Sequence, residues 1–299
     1  MKKSCIFCSK PAETKEHIIP RWLQKHFDLE NQRLGLWNNT TIFYKQAIIP
    51  ACKVCNSENF SLIEKKVREG TATKQEYYIW ALKIRYCLSI KDTTLLWDRK
   101  NADSGPLLKN SLAEIGSDFI TEVFANVGKK YFYRPYPFGS VFLLSNPVND
   151  GGFGLVDIPH PYWAMTIALP ENKFLSVLFT DRGLVKKDIA KTFKKKGGLK
   201  YFFRVLPDEL SAGIDTKCYF KKITYQLLFR QYSLANIPYG YKVRENGIQS
   251  YRVPQKIRYR KRFKKNVLQD MSNLCGLGDA NKNPDSKKME SRFLSLGRL

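Results

Sequence analysis

Two Cys-x-x-Cys pairs, Cys5–Cys8 and Cys52–Cys55, constrain the folding of this 299-residue chain more than any other feature. A turn of this kind lets two sulfurs converge on one ion, and together the pairs supply four thiolates, the ligand set of a tetrahedral structural zinc. In a reducing compartment such pairing favours a metal over disulfides. The segment between the pairs is longer than in compact zinc ribbons, so it must hold structure of its own. Of the three isolated cysteines, Cys87 and Cys218 fall on apolar faces of predicted helices and read as small core residues. Cys275 lies in a polar tail and carries no signal.

The charge balance narrows the partner. Lys and Arg number 51 against 27 Asp and Glu, a formal net charge of +24. That much self-repulsion points to a polyanion, either nucleic acid or an anionic membrane surface. No apolar run approaches the roughly 20 residues that span a bilayer, and Met1-Lys2-Lys3-Ser4-Cys5 does not read as a signal peptide. The expectation is a soluble cytoplasmic protein that meets nucleic acid. An apolar fraction of 43%, with 13% aromatic, predicts a packed interior.

Along the chain, Asn56 to Gly70 predicts a short helix with Phe60, Ile63 and Val67 on one face and Gly70 just past its end. A second helix is predicted from Thr73 to Ile90, opened by a Thr73/Glu76 capping box and striped by Tyr77, Trp80, Ile84 and Cys87. A single strand is expected over Thr40–Ile49. The polar stretch 91–110 is the best domain boundary, separating 1–90 from a mixed unit over 110–265. Within that unit 142–144, 154–158, 163–169, 174–180 and 201–206 predict strands, the third and fourth joined as a hairpin through Pro170-Glu171-Asn172-Lys173. Helices are predicted over 185–195 and 215–232, the latter with Phe220, Ile223 and Leu227 inward. Beyond Gly276 the polar composition predicts a mobile tail, 276–299.

What fills the loop between the cysteine pairs decides the chemistry. Glu16-His17-Ile18-Ile19-Pro20 follows the first pair, and Asn56 stands directly after Cys55. The constellation C-x-x-C, E-H-I-I-P, C-x-x-C-N resembles the HNH (His-Me finger) endonucleases, in particular the treble-clef members in which zinc knuckles frame a ββα-metal site. Phage Holliday-junction resolvases of that group share this arrangement. The resemblance covers about the first 70 residues and implies an α+β fold: an N-terminal treble-clef ββα-metal domain, then a mixed domain around an antiparallel sheet.

The same resemblance implies hydrolysis of DNA phosphodiester bonds, with a role in anti-phage defence. His17 would be the general base, since a near-neutral imidazole can take a proton from water at pH 7. Glu16, where the family more often has Asp, and Asn56 would hold a catalytic Mg²⁺ or Mn²⁺, while Cys5, Cys8, Cys52 and Cys55 hold structural Zn²⁺. Either Asn38 or Asn39 would orient His17. Arg21 reads either as a phosphate contact or as a solvated arginine. His26 reads as a helix-surface residue and His160 as a loop residue. The run 194–198 reads as a solvated helix end. Over 256–265, Lys256, Arg258, Arg260, Lys261 and Arg262 interleave with Ile257, Tyr259 and Phe263, a pattern in which rings stack on bases and cations neutralise phosphates. The alternatives are a zinc-finger nucleic-acid-binding protein without catalysis, and an RNA-targeting nuclease of the same type. A protein partner or a homodimer is compatible with each.

Overall fold

The computed structural model of the chain describes residues 4–36, 40–108, 117–127, 132–134, 139–148, 150–158, 163–192, 194, 215–234, 239–244 and 247–252. Among the described residues it is a mixed α/β fold with small, mainly antiparallel sheets, as expected of an α+β chain. Asn38, Asn39, His160, the predicted strand 201–206, the basic run 256–265, Cys275 and the tail 276–299 lie outside the described residues, as does the side chain of Cys218. No described helix is long and apolar enough to cross a membrane.

The N-terminal unit starts with the Cys5–Cys8 turn, closed by the Ser9 amide donating to the Cys5 carbonyl at 2.9 Å, with Ser9 itself at φ 61°. Strand β1 (Thr14–His17) follows, then a short helix α1 (Arg21–His26), with Leu23 buried beneath it and His26 exposed as expected. Strands β2 (Arg33–Gly35) and β3 (Thr41–Phe43) form a hairpin, and β4 (Ile48–Ala51) returns to pair antiparallel with β1, Glu16 opposite Ile49 and His17 opposite Ile48.

The single strand expected over Thr40–Ile49 is therefore two strands. A 3₁₀ turn at Tyr44–Gln46 separates them, and the reason is that β3 and β4 have different partners. One straight strand could not reach both; the turn redirects the chain, and Ala47 then accepts from the Ile18 amide at 2.9 Å.

The predicted helix after Cys55 is also different in detail. It begins as a π-helical stretch, Val54–Phe60, and becomes α-helical as α2 (Ser61–Arg68). Phe60, Ile63 and Val67 are buried, and Gly70 ends it at φ 70°. Helix α3 (Lys74–Thr93) has the Thr73/Glu76 capping box in full: Thr73 Oγ1 accepts from the Glu76 amide at 3.2 Å, and the Glu76 carboxylate accepts from the Thr73 amide at 2.7 Å. It is buried nearly all round, Trp80, Ile84 and Cys87 included.

Helix α4 (Ser117–Ala125) precedes strand β5 (Phe132–Arg134), which lies parallel to β11 (Gly247–Arg252), itself antiparallel to β10 (Tyr239–Arg244). The main sheet holds β6 (Ser140–Ser145), β7 (Leu155–Ile158), β8 (Ala164–Leu169) and β9 (Lys173–Leu178) in the order β6-β9-β8-β7, all antiparallel. Its β8–β9 hairpin turns where the sequence places it, with Glu171 and Asn172 at positive φ. Helices α5 (Leu184–Thr192) and α6 (Thr216–Leu234) follow.

Alternation along β8 and β9 sorts the core. Met165, Ile167, Leu175 and Val177 belong to a hydrophobic cluster continuous with α3 and the cysteine unit. Ala164, Ala168, Phe174 and Leu178 point the other way, into a cluster with Val185, Ile189, Phe220, Ile223 and Leu227 of α5 and α6. Both faces of the sheet are thus covered, which is why these strands read as unbroken apolar runs. On the α6 side, Thr166 bonds both Ser176 and Thr224 at 2.7 Å, so three buried hydroxyls satisfy one another. Across the other face, Tyr78 donates to the Phe179 carbonyl at 2.9 Å. One core therefore joins residues on both sides of the polar stretch 91–110.

Candidate functional site

The four cysteines come together. The Sγ atoms of Cys5, Cys8, Cys52 and Cys55 all lie within 4.8 Å of one another, and the Cys8 and Cys52 sulfurs are 3.6 Å apart. The turn supplies two of them. The other two stand where β4 hands over to the π-helical stretch, with the Cys55 amide donating to Cys52 Sγ at 3.5 Å. The Ile6 amide donates to the Pro50 carbonyl at 3.3 Å, tying the first pair to the strand that carries the second. Burial and the neighbouring sulfurs push the Cys55 thiol far above its ordinary value. This donor set fits a metal ion such as zinc.

Asn56, one residue on, is oriented by the β1–β4 pair. Thr14 Oγ1 donates to the Ala51 carbonyl at 2.8 Å, so its proton is committed. It can then only accept from Asn56 Nδ2, at 3.1 Å, which turns the amide oxygen of Asn56 away from the strand.

Glu16 lies on the Thr14 side of β1, two residues along, and His17 lies on the other. The Glu16 side chain is 8% exposed and its Oε1 is 2.5 Å from the Lys83 ammonium. Lys83, on α3, is 1% exposed and also reaches Glu64 of α2 at 2.5 Å, with the Phe60 ring 5.3 Å from its Nζ. Burial disfavours the Lys83 charge, but Glu64 and Glu16 outweigh it and raise its pKa. One ammonium serves two carboxylates, so burial still raises the pKa of Glu16 despite Lys83.

His17 is half-buried. Its Nε2 accepts from Arg21 Nε at 2.8 Å, so the proton of the neutral ring sits on Nδ1. Nδ1 is buried and has no hydrogen-bond partner among the described residues. Burial lowers the His17 pKa, and the Arg21 charge lowers it further against a smaller pull from Glu30 and Glu64. Both effects favour the neutral ring.

The structure thus gathers Cys5, Cys8, Cys52 and Cys55, sets Asn56 on the side of Glu16, and pairs His17 with Arg21 on the opposite side. A divalent cation on Glu16 and Asn56 does not fit this arrangement, because Glu16 is buried and already paired with Lys83. Lys83 and Glu64 are the two residues that sequence reasoning missed here. The available signal was a charged residue, Lys83, set between Trp80 and Cys87 on the apolar face of α3.

No family model matches the chain, no curated protein matches it and no solved structure matches it.

Proposed function

We propose that this chain is an HNH-type endonuclease that hydrolyses DNA phosphodiester bonds, in anti-phage defence, from a zinc-framed N-terminal unit. The observation that supports it is His17 at the end of β1, its Nε2 held by Arg21, on a strand whose antiparallel partner β4 runs into a four-cysteine cluster. Zinc at Cys5, Cys8, Cys52 and Cys55 would act as a structural staple, fixing the β1–β4 pair to the helix.

The chemistry proposed for these residues is a single displacement. A substrate phosphate draws the Arg21 guanidinium toward itself and frees His17 Nε2. Nε2 takes a proton from a water, whose oxygen bonds to phosphorus as the bond to the leaving oxygen breaks. The leaving oxygen gains its proton from solvent. The Mg²⁺ or Mn²⁺ that the family resemblance implies does not fit Glu16 as it is held by Lys83.

The Lys83–Glu16 pair favours a second reading, a zinc-bearing nucleic-acid-binding protein without cleavage, because it fills the acidic position with an internal cation. One assay separates the two. Wild type and His17→Ala are incubated with supercoiled plasmid alone, with Mg²⁺, with Mn²⁺ and with chelator, and the products are run on a gel. Loss of supercoiled DNA with the wild type only supports hydrolysis with His17 as base. Retained plasmid, with DNA bound and zinc present, supports the binding protein; a parallel digest of RNA then tests the RNA-targeting alternative.

A further inference from the structure

The geometry points to a binding site for a nucleic-acid phosphate backbone on the β2–β3 hairpin, built from Arg33, Phe43, Lys45 and Arg99. It rests on the nucleic-acid reading above and not on cleavage. Arg33 and Phe43 are directly opposite each other across the hairpin, hence on one face. The Arg33 guanidinium lies 5.0 Å from the Phe43 ring centroid and the Lys45 ammonium 5.4 Å from it. Arg99, from the chain beyond α3, donates to the Thr41 carbonyl at 2.8 Å, and Arg33 donates to the Thr41 hydroxyl at 3.2 Å. Ile42, between Thr41 and Phe43, is buried on the opposite face and anchors the strand.

What distinguishes this cluster is the company the cations keep. Arg33, Lys45 and Arg99 are all exposed, and their hydrogen-bond partners among the described residues are a hydroxyl, a carbonyl and the Asn31 amide oxygen. None of the ion pairs among the described residues includes any of the three. Three like charges gathered round one threonine and one phenylalanine repel one another, and a polyanion relieves that repulsion by releasing its own counterions. Neutral oxygens hold the cations in place without cancelling them. A guanidinium lying near an aromatic ring also offers a flat surface on which an unpaired base can stack.

The cluster adjoins the proposed site. The 3₁₀ turn Tyr44–Gln46 leads to Ala47, whose carbonyl accepts from the Ile18 amide next to His17. Phosphates of the backbone are the chemistry recognised, and duplex and single strand are arms of the test.

The test uses the full chain and fluorescence anisotropy with a labelled DNA duplex and its single strand, without added Mg²⁺ or Mn²⁺. The variant Arg33→Ala/Lys45→Ala/Arg99→Ala is set against Lys65→Ala/Lys187→Ala/Lys191→Ala, which removes three exposed charges from α2 and α5. Thermal melts confirm that both are folded. The hairpin variant should weaken binding at least about tenfold at physiological salt and flatten the slope of log K against log salt by about 2 to 3, roughly 0.9 per lost phosphate contact. The control should change far less, and Arg33→Lys/Arg99→Lys should keep most of the slope. Equal losses in the hairpin variant and the control, no loss in the hairpin variant, or a loss that persists in the lysine variant would overturn the inference. Absent plasmid cleavage with hairpin-dependent binding would sink hydrolysis alone and leave this site standing.

Discussion

The Lys83 ammonium lies 2.5 Å from the Glu16 carboxylate although 67 residues separate them in sequence. That contact joins β1 to α3 through the interior and, with Glu64, makes a carboxylate–ammonium–carboxylate triad in which Lys83 is almost wholly excluded from water. Removing one member of such a group leaves buried charge without compensation, whereas removing the group together is far less costly. Lys83→Met should therefore destabilise the protein by about 3–5 kcal/mol at pH 7, read from urea unfolding. The deficit should shrink in the double variant Lys83→Met/Glu16→Gln. A single variant within about 0.5 kcal/mol of wild type, the range of an ordinary surface change, would show that the triad is not formed.

The cysteine cluster makes a second prediction. Protein purified without chelator should carry one metal ion, zinc by elemental analysis, and Cys52→Ser should lose it. Because the cluster clamps the first turn to β4 and to the π-helical stretch, metal loss should lower the melting temperature and loosen the β1–β4 pair that holds His17. Hydrogen exchange at the amides of β1 and β4 checks this directly. Unchanged protection after the metal is stripped would separate the cluster from the stability of that pair.

How much of this was legible in the sequence depends on how local each signal is. The cysteine pairs, the Thr73/Glu76 capping box and the Glu171-Asn172 turn are written in spacings of a few residues, and each is found where it was read. The buried faces of α2 and α6 followed from helical periodicity in the same way. Lys83 stands out in the apolar stripe of α3, but its partners Glu16 and Glu64 come from β1 and α2, so no local spacing pairs them. The split between β3 and β4 was hidden because it is set by partners β2 and β1, not by local composition. Pairing of β5 with β11 brings Phe132 to Gly247, a contact no neighbouring residues announce. Glu16 and His17 face opposite sides of the strand, as adjacent strand residues do, and a turn at Pro20 does not bring the Glu16 carboxylate round because α3 claims it through Lys83.

Arg21 should tune His17. Its charge depresses the imidazole pKa and its Nε occupies the ring nitrogen that would act as base. In wild type, an NMR titration should place His17 below the ordinary value of 6.5, and Arg21→Ala should move it upward. If His17 is the base, the acid limb of cleavage should move up in pH with it. The neutral ring in the folded state also means that the unfolded chain binds more protons below about pH 6.5, so this histidine costs stability as pH falls through that value. A His17 pKa indifferent to Arg21 would mean that the contact does not persist in solution.

Asp157 should act with the opposite sign. It stands on β7 with Arg85 of α3 3.6 Å away, too far for a good hydrogen bond, and its Oδ1 is buried without one. Burial, only partly offset by Arg85, pushes its pKa up from the ordinary 3.8 to about 6. The folded state then holds a proton that the unfolded chain has already released, so this residue's contribution is fully present below about pH 3.8 and is lost as pH rises to about 6. Asp157→Asn stays neutral throughout and should remove that loss. The difference in unfolding free energy between wild type and Asp157→Asn, measured by urea at several pH values, should shift in favour of the variant across this window and level off above it. A difference that is flat with pH would place Asp157 in water, with Arg85 as an ordinary partner and no buried proton.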